Sequence, residues 1–154
     1  MEKRYYIAYG SNLNVQQMRM RCPNASILGT AVLKDWELLF KGSGTGFYLT
    51  IERCENSSVP VAIWEIDEKA LDRYEGFPFF YYKKDIMVCC RNVRTGLCQT
   101  LNAFAYIMHE ERPIGIPSDR YMRTCLAGYD SFSFDRRVLL DAYDKCVELC
   151  SHEE

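Results

Sequence analysis

The sequence lacks an apolar run long enough to span a bilayer, any C-x-x-C pair, and all but two histidines, His109 and His152. A membrane helix needs about 20 predominantly apolar residues, so no spanning role is expected. Structural zinc sites draw on Cys and His at short paired spacings, and these residues do not offer them. Gly42–Gly46 is glycine-rich but has no following Lys-Ser/Thr, which excludes a P-loop. No G-x-S-x-G elbow presents a serine nucleophile. Neither sign of charge dominates: the formal net charge is −2, which gives no electrostatic reason to expect nucleic acid or a membrane surface as a partner. Repeats, low-complexity tracts and linkers are missing as well. The opening apolar run, Tyr5–Tyr9, is too short for a signal-peptide core and no cleavage site follows, so the expected location is the cytoplasm.

What remains is 154 residues of ordinary globular composition. One domain, 1–154, is expected, large enough to bury roughly 70% of its unfolded surface. Eight cysteines with no export signal read mostly as reduced core residues, several of them (Cys89, Cys90, Cys125, Cys146, Cys150) inside apolar periodic segments. A strand is expected over Arg4–Tyr9. A helix capped by Asn14 follows, with Val15, Met18 and Cys22 on one face and Pro23 as its stop. Four strands are expected at Ile27–Leu33, Trp36–Lys41, Phe47–Glu52 and Val59–Ile66, with Gly42–Gly46 a flexible loop and Asn56-Ser57-Ser58 a turn. A short helix runs over Glu68–Glu75, capped by Asp67 and closed by Gly76. Tyr81–Cys90 and Gln99–Met108 form a hairpin, and Ser118 and Asp135 cap two final helices. Runs of neighbouring strands predict an α+β fold: a single compact domain with a mixed, mostly antiparallel β-barrel and surrounding helices.

Three segments carry candidate chemistry. In Tyr9-Gly10-Ser11-Asn12-Leu13, between a strand and a helix, Gly10 allows close backbone approach, and the following amides lead into a helix N-terminus suited to carboxylates or oxyanions. An ordinary turn with an N-cap is the alternative. Glu75 lies one helical turn after Leu71 and so leans toward whatever Leu71 packs on. Burial and the negative end of the helix dipole would both raise its pKa, which suits proton transfer near neutral pH. A solvated helix-end glutamate is the alternative there. The aromatic set around Tyr81, Tyr82 and Tyr106 supplies either phenol hydrogen bonds or plain packing.

Taken in order, Tyr9–Leu13 after an N-terminal strand, Arg21-Cys22-Pro23, Leu71-Asp72-Arg73-Tyr74-Glu75-Gly76, Tyr106-Ile107-Met108 and Pro117-Ser118 resemble the γ-glutamylcyclotransferase family over nearly the whole chain. That resemblance implies a cofactor-independent and metal-free enzyme, of the acyltransferase or amidine-lyase class. It would convert a γ-glutamyl amino acid or γ-glutamylamine to 5-oxoproline and a free amine. Glu75 would be the catalytic acid/base. Tyr9, Gly10, Ser11, Asn12, Leu13, Tyr82 and Tyr106 would bind the substrate. The only expected partner is the small γ-glutamyl molecule, with the chain a monomer or homodimer. Two alternatives stay open: removal of a γ-glutamyl protecting group in a biosynthetic pathway, and a non-catalytic binding or regulatory domain on the same fold. Residues 109–117 are either a lid or a surface crossover.

Overall fold

The computed structural model describes residues 3–151; His152 and the outer ends of the expected 1–154 domain lie outside the described residues. Five strands close into a barrel in the order β1-β3-β2-β4-β5. They are β1 (Lys3–Ala8), β2 (Ser26–Ser43), β3 (Gly46–Asp67), β4 (Tyr81–Asn92) and β5 (Cys98–Met108). Every pairing is antiparallel except β1 with β5, which meet in parallel at Tyr6 and Phe104. Closure removes the exposed edges that an open sheet of these strands would carry. The mixed, mostly antiparallel barrel expected from the strand order is therefore the fold adopted.

The four central strands expected from sequence are two long ones. Asp35 and Asn56 interrupt the pattern, and both adopt left-handed backbone conformations, with φ of 66° and 67°. Asx side chains tolerate that region better than most residues. The register shifts between Lys34 and Trp36, and residues 54–57 of β3 bulge opposite the single Asp35. The Asn56 N–H donates to Asp35 Oδ1 at 3.1 Å, so the ladder bends here without ending. Asn56-Ser57-Ser58 is accordingly a kink within β3 and not a chain reversal. Gly42–Gly46 is a tight hairpin, with Ser43 paired to Gly46.

The helices follow their capping signals. In α1 (Val15–Arg21) Asn14 Oδ1 accepts from the Gln17 N–H at 3.0 Å. In α2 (Glu68–Glu75) Asp67 accepts from the Lys69 N–H at 3.2 Å, and Gly76 closes the end with φ 62°. Ser118 caps α3 (Asp119–Ser131), accepting from the Tyr121 N–H at 3.1 Å. The last helix, α4 (Arg136–Ser151), buries Leu139 and Cys146 and sets Tyr143 edge-on to Phe40 of β2, with ring centroids 6.3 Å apart. Among the described residues no helix is long and apolar enough to cross a membrane.

None of the eight cysteines is disulfide-bonded. Cys22, Cys90, Cys125 and Cys146 are buried, as expected of core thiols, whereas Cys89 is exposed. Adjacent strand positions point to opposite faces, so Cys89 and Cys90 cannot share the core.

Residues 109–117 form a crossover stitched to β2. Gly42 N–H donates to Pro113 O at 3.0 Å and Gly115 N–H to Phe40 O at 3.2 Å. The buried Lys41 ammonium pairs with Glu52 and donates to Glu110 O at 2.9 Å. With its main chain and a buried cation committed to the barrel wall, this segment is not built as a lid.

Candidate active site

The chain leaves β1 at Ala8 and turns through a single 310 turn, Ser11–Leu13, before entering α1. The first N–H groups of such a turn have no acceptor within it, which leaves those of Ser11 and Asn12 to outside partners. Two packing contacts fix the turn. Leu13 is fully buried, and its N–H closes the turn on Gly10 O at 3.0 Å. Gly128 of α3 lies so close that a Cβ there would stand 2.6 Å from Leu13 Cβ and 2.7 Å from its carbonyl carbon.

Helix α2 brings the acid from the other side. Leu71 is fully buried, and Glu75 follows on the same face one turn later. Ion pairs set the orientation of this helix. Lys83 Nζ of β4 lies 2.5 Å from Glu68 and 2.9 Å from Asp72, and Arg4 of β1 lies 3.3 Å from Glu68. The result is a direct contact between segments 63 residues apart: Asn12 Nδ2 donates to Glu75 Oε1 at 3.1 Å. The same amide nitrogen donates to the Tyr6 hydroxyl at 3.0 Å. Its carbonyl oxygen accepts from the Arg21 guanidinium at 2.6 Å, and that guanidinium also reaches Ser11 Oγ at 3.3 Å. Arg21 thus fixes which end of the Asn12 amide faces the acid.

Glu75 stands where a cavity of about 490 Å³ meets a smaller hollow behind it; Ser11, Tyr81 and Tyr121 line both spaces with it. The outer cavity adds Arg21, Tyr48, Tyr74 and Arg120, and the inner hollow adds Tyr6, Tyr9, Gly10, Asn12 and Tyr106. Only part of the Glu75 surface opens to the cavity. Burial pushes its carboxyl up to about 7, against the opposing pull of the Arg21 charge and the Asn12 hydrogen bond. Burial, reinforced by the Glu75 charge, also raises the phenols of Tyr6, Tyr9 and Tyr81. They remain neutral hydrogen-bonding groups throughout the pH range in which Glu75 titrates.

The sequence-derived candidates divide on this geometry. Gly10, Ser11, Asn12 and Glu75 converge. Tyr9 lines the hollow with its hydroxyl committed to Tyr106 O at 2.5 Å. Tyr106 lines it too and donates its own hydroxyl to Asp72. Leu13 does not reach the cavity, because its side chain is core and its N–H is used inside the turn. Tyr82 does not either. Register places Tyr81 opposite Met108 and Tyr82 opposite Ile107, so alternation sends Tyr81 to the cavity and Tyr82 to the other face, where it donates to the Glu110 carboxylate. Tyr81, part of the aromatic set that the sequence offers, lines the cavity with Tyr6, Arg21 and Tyr121, for which no pocket role is expected from sequence. Tyr82 is the pocket residue that the family resemblance implies; the two-residue period of β4 gives that place to Tyr81 once the register with β5 is fixed. Tyr82→Phe is accordingly expected to leave kcat/KM within about twofold of the parent, since the lost hydroxyl contacts a surface carboxylate. Tyr81→Phe, assayed alongside it, should give the larger loss.

A family profile described as gamma-glutamyl cyclotransferase, AIG2-like, matches residues 6–123. A comparison with curated protein sequences returns no match. Among solved structures, one described as gamma-glutamyl cyclotransferase aligns with a TM-score of 0.76 at 23% identity, over 94% of this chain and 86% of its own. An uncharacterized protein from Homo sapiens aligns at 0.75 and 24% identity, over 95% and 87% of the two chains. YkqA from Bacillus subtilis aligns at 0.70 and 17% identity, over 99% of this chain and 54% of its own. Similarity at these identities is a likeness of fold.

Proposed function

This chain belongs to the gamma-glutamyl cyclotransferase, AIG2-like family, and we propose that it closes a γ-glutamyl group into 5-oxoproline and releases the attached amine, with Glu75 moving the protons. One observation carries the reading: a half-buried carboxyl raised to about 7 is hydrogen-bonded to Asn12 of the turn after β1 at the inner end of a cavity of about 490 Å³.

The chemistry asks for three things. The α-amine and γ-carbonyl of the substrate belong to one chain, so holding a folded conformer converts the reaction into a well-oriented ring closure, an effect worth about 7–11 kcal/mol. The turn at Gly10–Asn12 and the phenols around it supply the holder. The α-ammonium must then lose protons before its nitrogen can attack. As the new C–N bond forms and the old one breaks, the ammonium gives up two protons and the departing nitrogen gains two, so the amine leaves as an ammonium ion and no water is consumed. A carboxyl with a pKa near 7 both accepts and returns a proton with little penalty at neutral pH. Finally, the oxyanion on the γ-carbon needs donors, and the N–H groups of Ser11 and Asn12 are candidates. Tyr9, Gly10 and Tyr106 shape the inner wall in this scheme.

Incubation with a panel of γ-glutamyl amino acids and γ-glutamylamines, followed by detection of 5-oxoproline, tests the proposal directly. Tight binding of these compounds without 5-oxoproline would instead favour a non-catalytic binding domain. The pH profile gives a second, residue-specific check. Because the ionised carboxylate is the base, kcat/KM should fall about tenfold per pH unit below pH 7. Asn12 donates to the ionised form, so Asn12→Ala removes a contact that lowers the Glu75 pKa. The acid limb should then move to higher pH, along with a loss in rate; an unmoved limb would detach Glu75 from the titration.

A further inference from the structure

Closure relieves the edges of β2 and β4 only where these strands pair, which among the described residues is Gly29 with Asn92 and Thr30 with Arg91. Past those pairs the strands part. Each stays paired on its far side, β2 to β3 and β4 to β5, and the crossover covers β2 again from Phe40 to Gly42. A cleft of about 520 Å³ lies between, with Val32, Lys34 and Trp36 on one side and Lys84, Met87 and Cys89 on the other. Main-chain groups face into it. Val32 stands opposite Pro60, which has no N–H, so the Val32 N–H and C=O turn away from β3 and toward the cleft. Those of Lys34 follow two residues on. In β4 the Asn92 N–H donates to Leu97 O across the hairpin at 2.9 Å. Alternation then turns Cys90 and Val88 toward β5, and Cys89 and Met87 toward the cleft.

The side chains give this seam a charge. Lys34, Arg53 and Lys84 line it against one carboxylate, Asp85, which Arg4 holds at 3.0 Å. The three cations are exposed, and among the described residues no acid pairs with them. The Arg53 guanidinium is set in place by Trp36, 4.7 Å from its ring centroid. Glu52 and Glu110, in the hollow that continues the cleft past Trp36, are engaged by Lys41 and by the Tyr82 hydroxyl. Val32 and Met87 are each more than half exposed. A two-fold contact between copies of this chain would set cation against cation.

We propose that the β2–β4 seam binds an acidic peptide segment in extended form, which adds a strand to the open edges, with its carboxylates on Arg53 and Lys84 and its apolar side chains beside Val32 and Met87. Main-chain pairing supplies affinity, and the cations select the sequence. The inference is independent of the cyclotransferase reading, because none of the residues lining the seam lines the cavity or the hollow at Glu75.

The probe is a fluorescein-labelled octapeptide of alternating glutamate and valine, with an octapeptide of alternating lysine and valine as control. The acidic peptide should bind saturably at low salt and weaken as salt is raised. It should also slow amide hydrogen exchange at Val32, Lys34, Met87 and Cys89. Lys84→Glu, at an exposed position with no ion pair to lose, should weaken binding by about tenfold or more, as like charge replaces opposite charge across the contact. No binding, equal binding of the lysine peptide, unprotected amides at the seam, or an affinity unmoved by Lys84→Glu overturns the proposal. Tighter binding of an octamer of uridylate would assign the seam to single-stranded nucleic acid instead, and protection of the same amides on dimerisation of the protein alone would assign it to a second copy; either result rejects the peptide.

Discussion

Glu75→Gln is expected to lower kcat for 5-oxoproline release by about 10²–10⁴-fold while leaving substrate affinity within a few-fold, because it removes proton transfer and keeps the side-chain shape. The variant should also fold well, and pH separates that from the loss of chemistry. The folded carboxyl is raised to about 7 from an ordinary 4.5. Its contribution to stability is thus fully present below pH 4.5 and is lost as the pH rises through 7, where the folded state resists ionisation. Glutamine carries no such pH dependence. Relative to the parent, Glu75→Gln should gain stability progressively from pH 4.5 to about 7, by up to about 3 kcal/mol. Thermal denaturation at several pH values measures the trend. A variant destabilised at pH 8 would mean that the Asn12–Glu75 contact is chiefly structural, and a variant of normal turnover would remove Glu75 from the mechanism.

Gly128→Val should act on the same site from the opposite side of the fold. Its Cβ would fall 2.6 Å from Leu13 Cβ and 2.8 Å from the Asn14 nitrogen, so either α3 or the 310 turn must move. Leu13 is fully buried, and most of what opposes the side chain is backbone, which cannot rotate away. A cost of about 3 kcal/mol or more is expected, equivalent to a fall in Tm of roughly 6–12 °C for a chain of this size. Because the turn carries Ser11 and Asn12, a displacement of about 1 Å should also cost on the order of 100-fold in kcat/KM. Calorimetry and steady-state kinetics on one preparation would measure both. Full activity together with lowered stability would show that α3 yields and the turn does not, and would remove this contact from the positioning of Asn12.

Much of this is legible in the sequence. Caps at Asn14, Asp67 and Ser118 act within one turn of the chain, so the helix starts follow from local chemistry alone. The same locality explains Gly76 at the end of α2 and the orientation of Glu75 relative to Leu71. Structure and sequence expectation differ where local signals are ambiguous. Asp35 and Asn56 have the composition of turns yet lie opposite each other in one bent ladder, a fact visible only when both strands are present. Tyr81 and Tyr82 are equivalent until the partner strand fixes the register.

Sequence by itself determined the helix starts, the barrel class, and the two segments that hold the candidate site, because capping, periodicity and turn preferences depend on neighbours within a few residues. Tertiary structure alone decided that Asn12 touches Glu75 and that Arg21 orients the amide between them. Those contacts join the turn after β1 to α1 and, 63 residues along the chain, to α2. Their distances, and the desolvation that raises the Glu75 pKa, come into being only when the barrel closes and the helices pack against it.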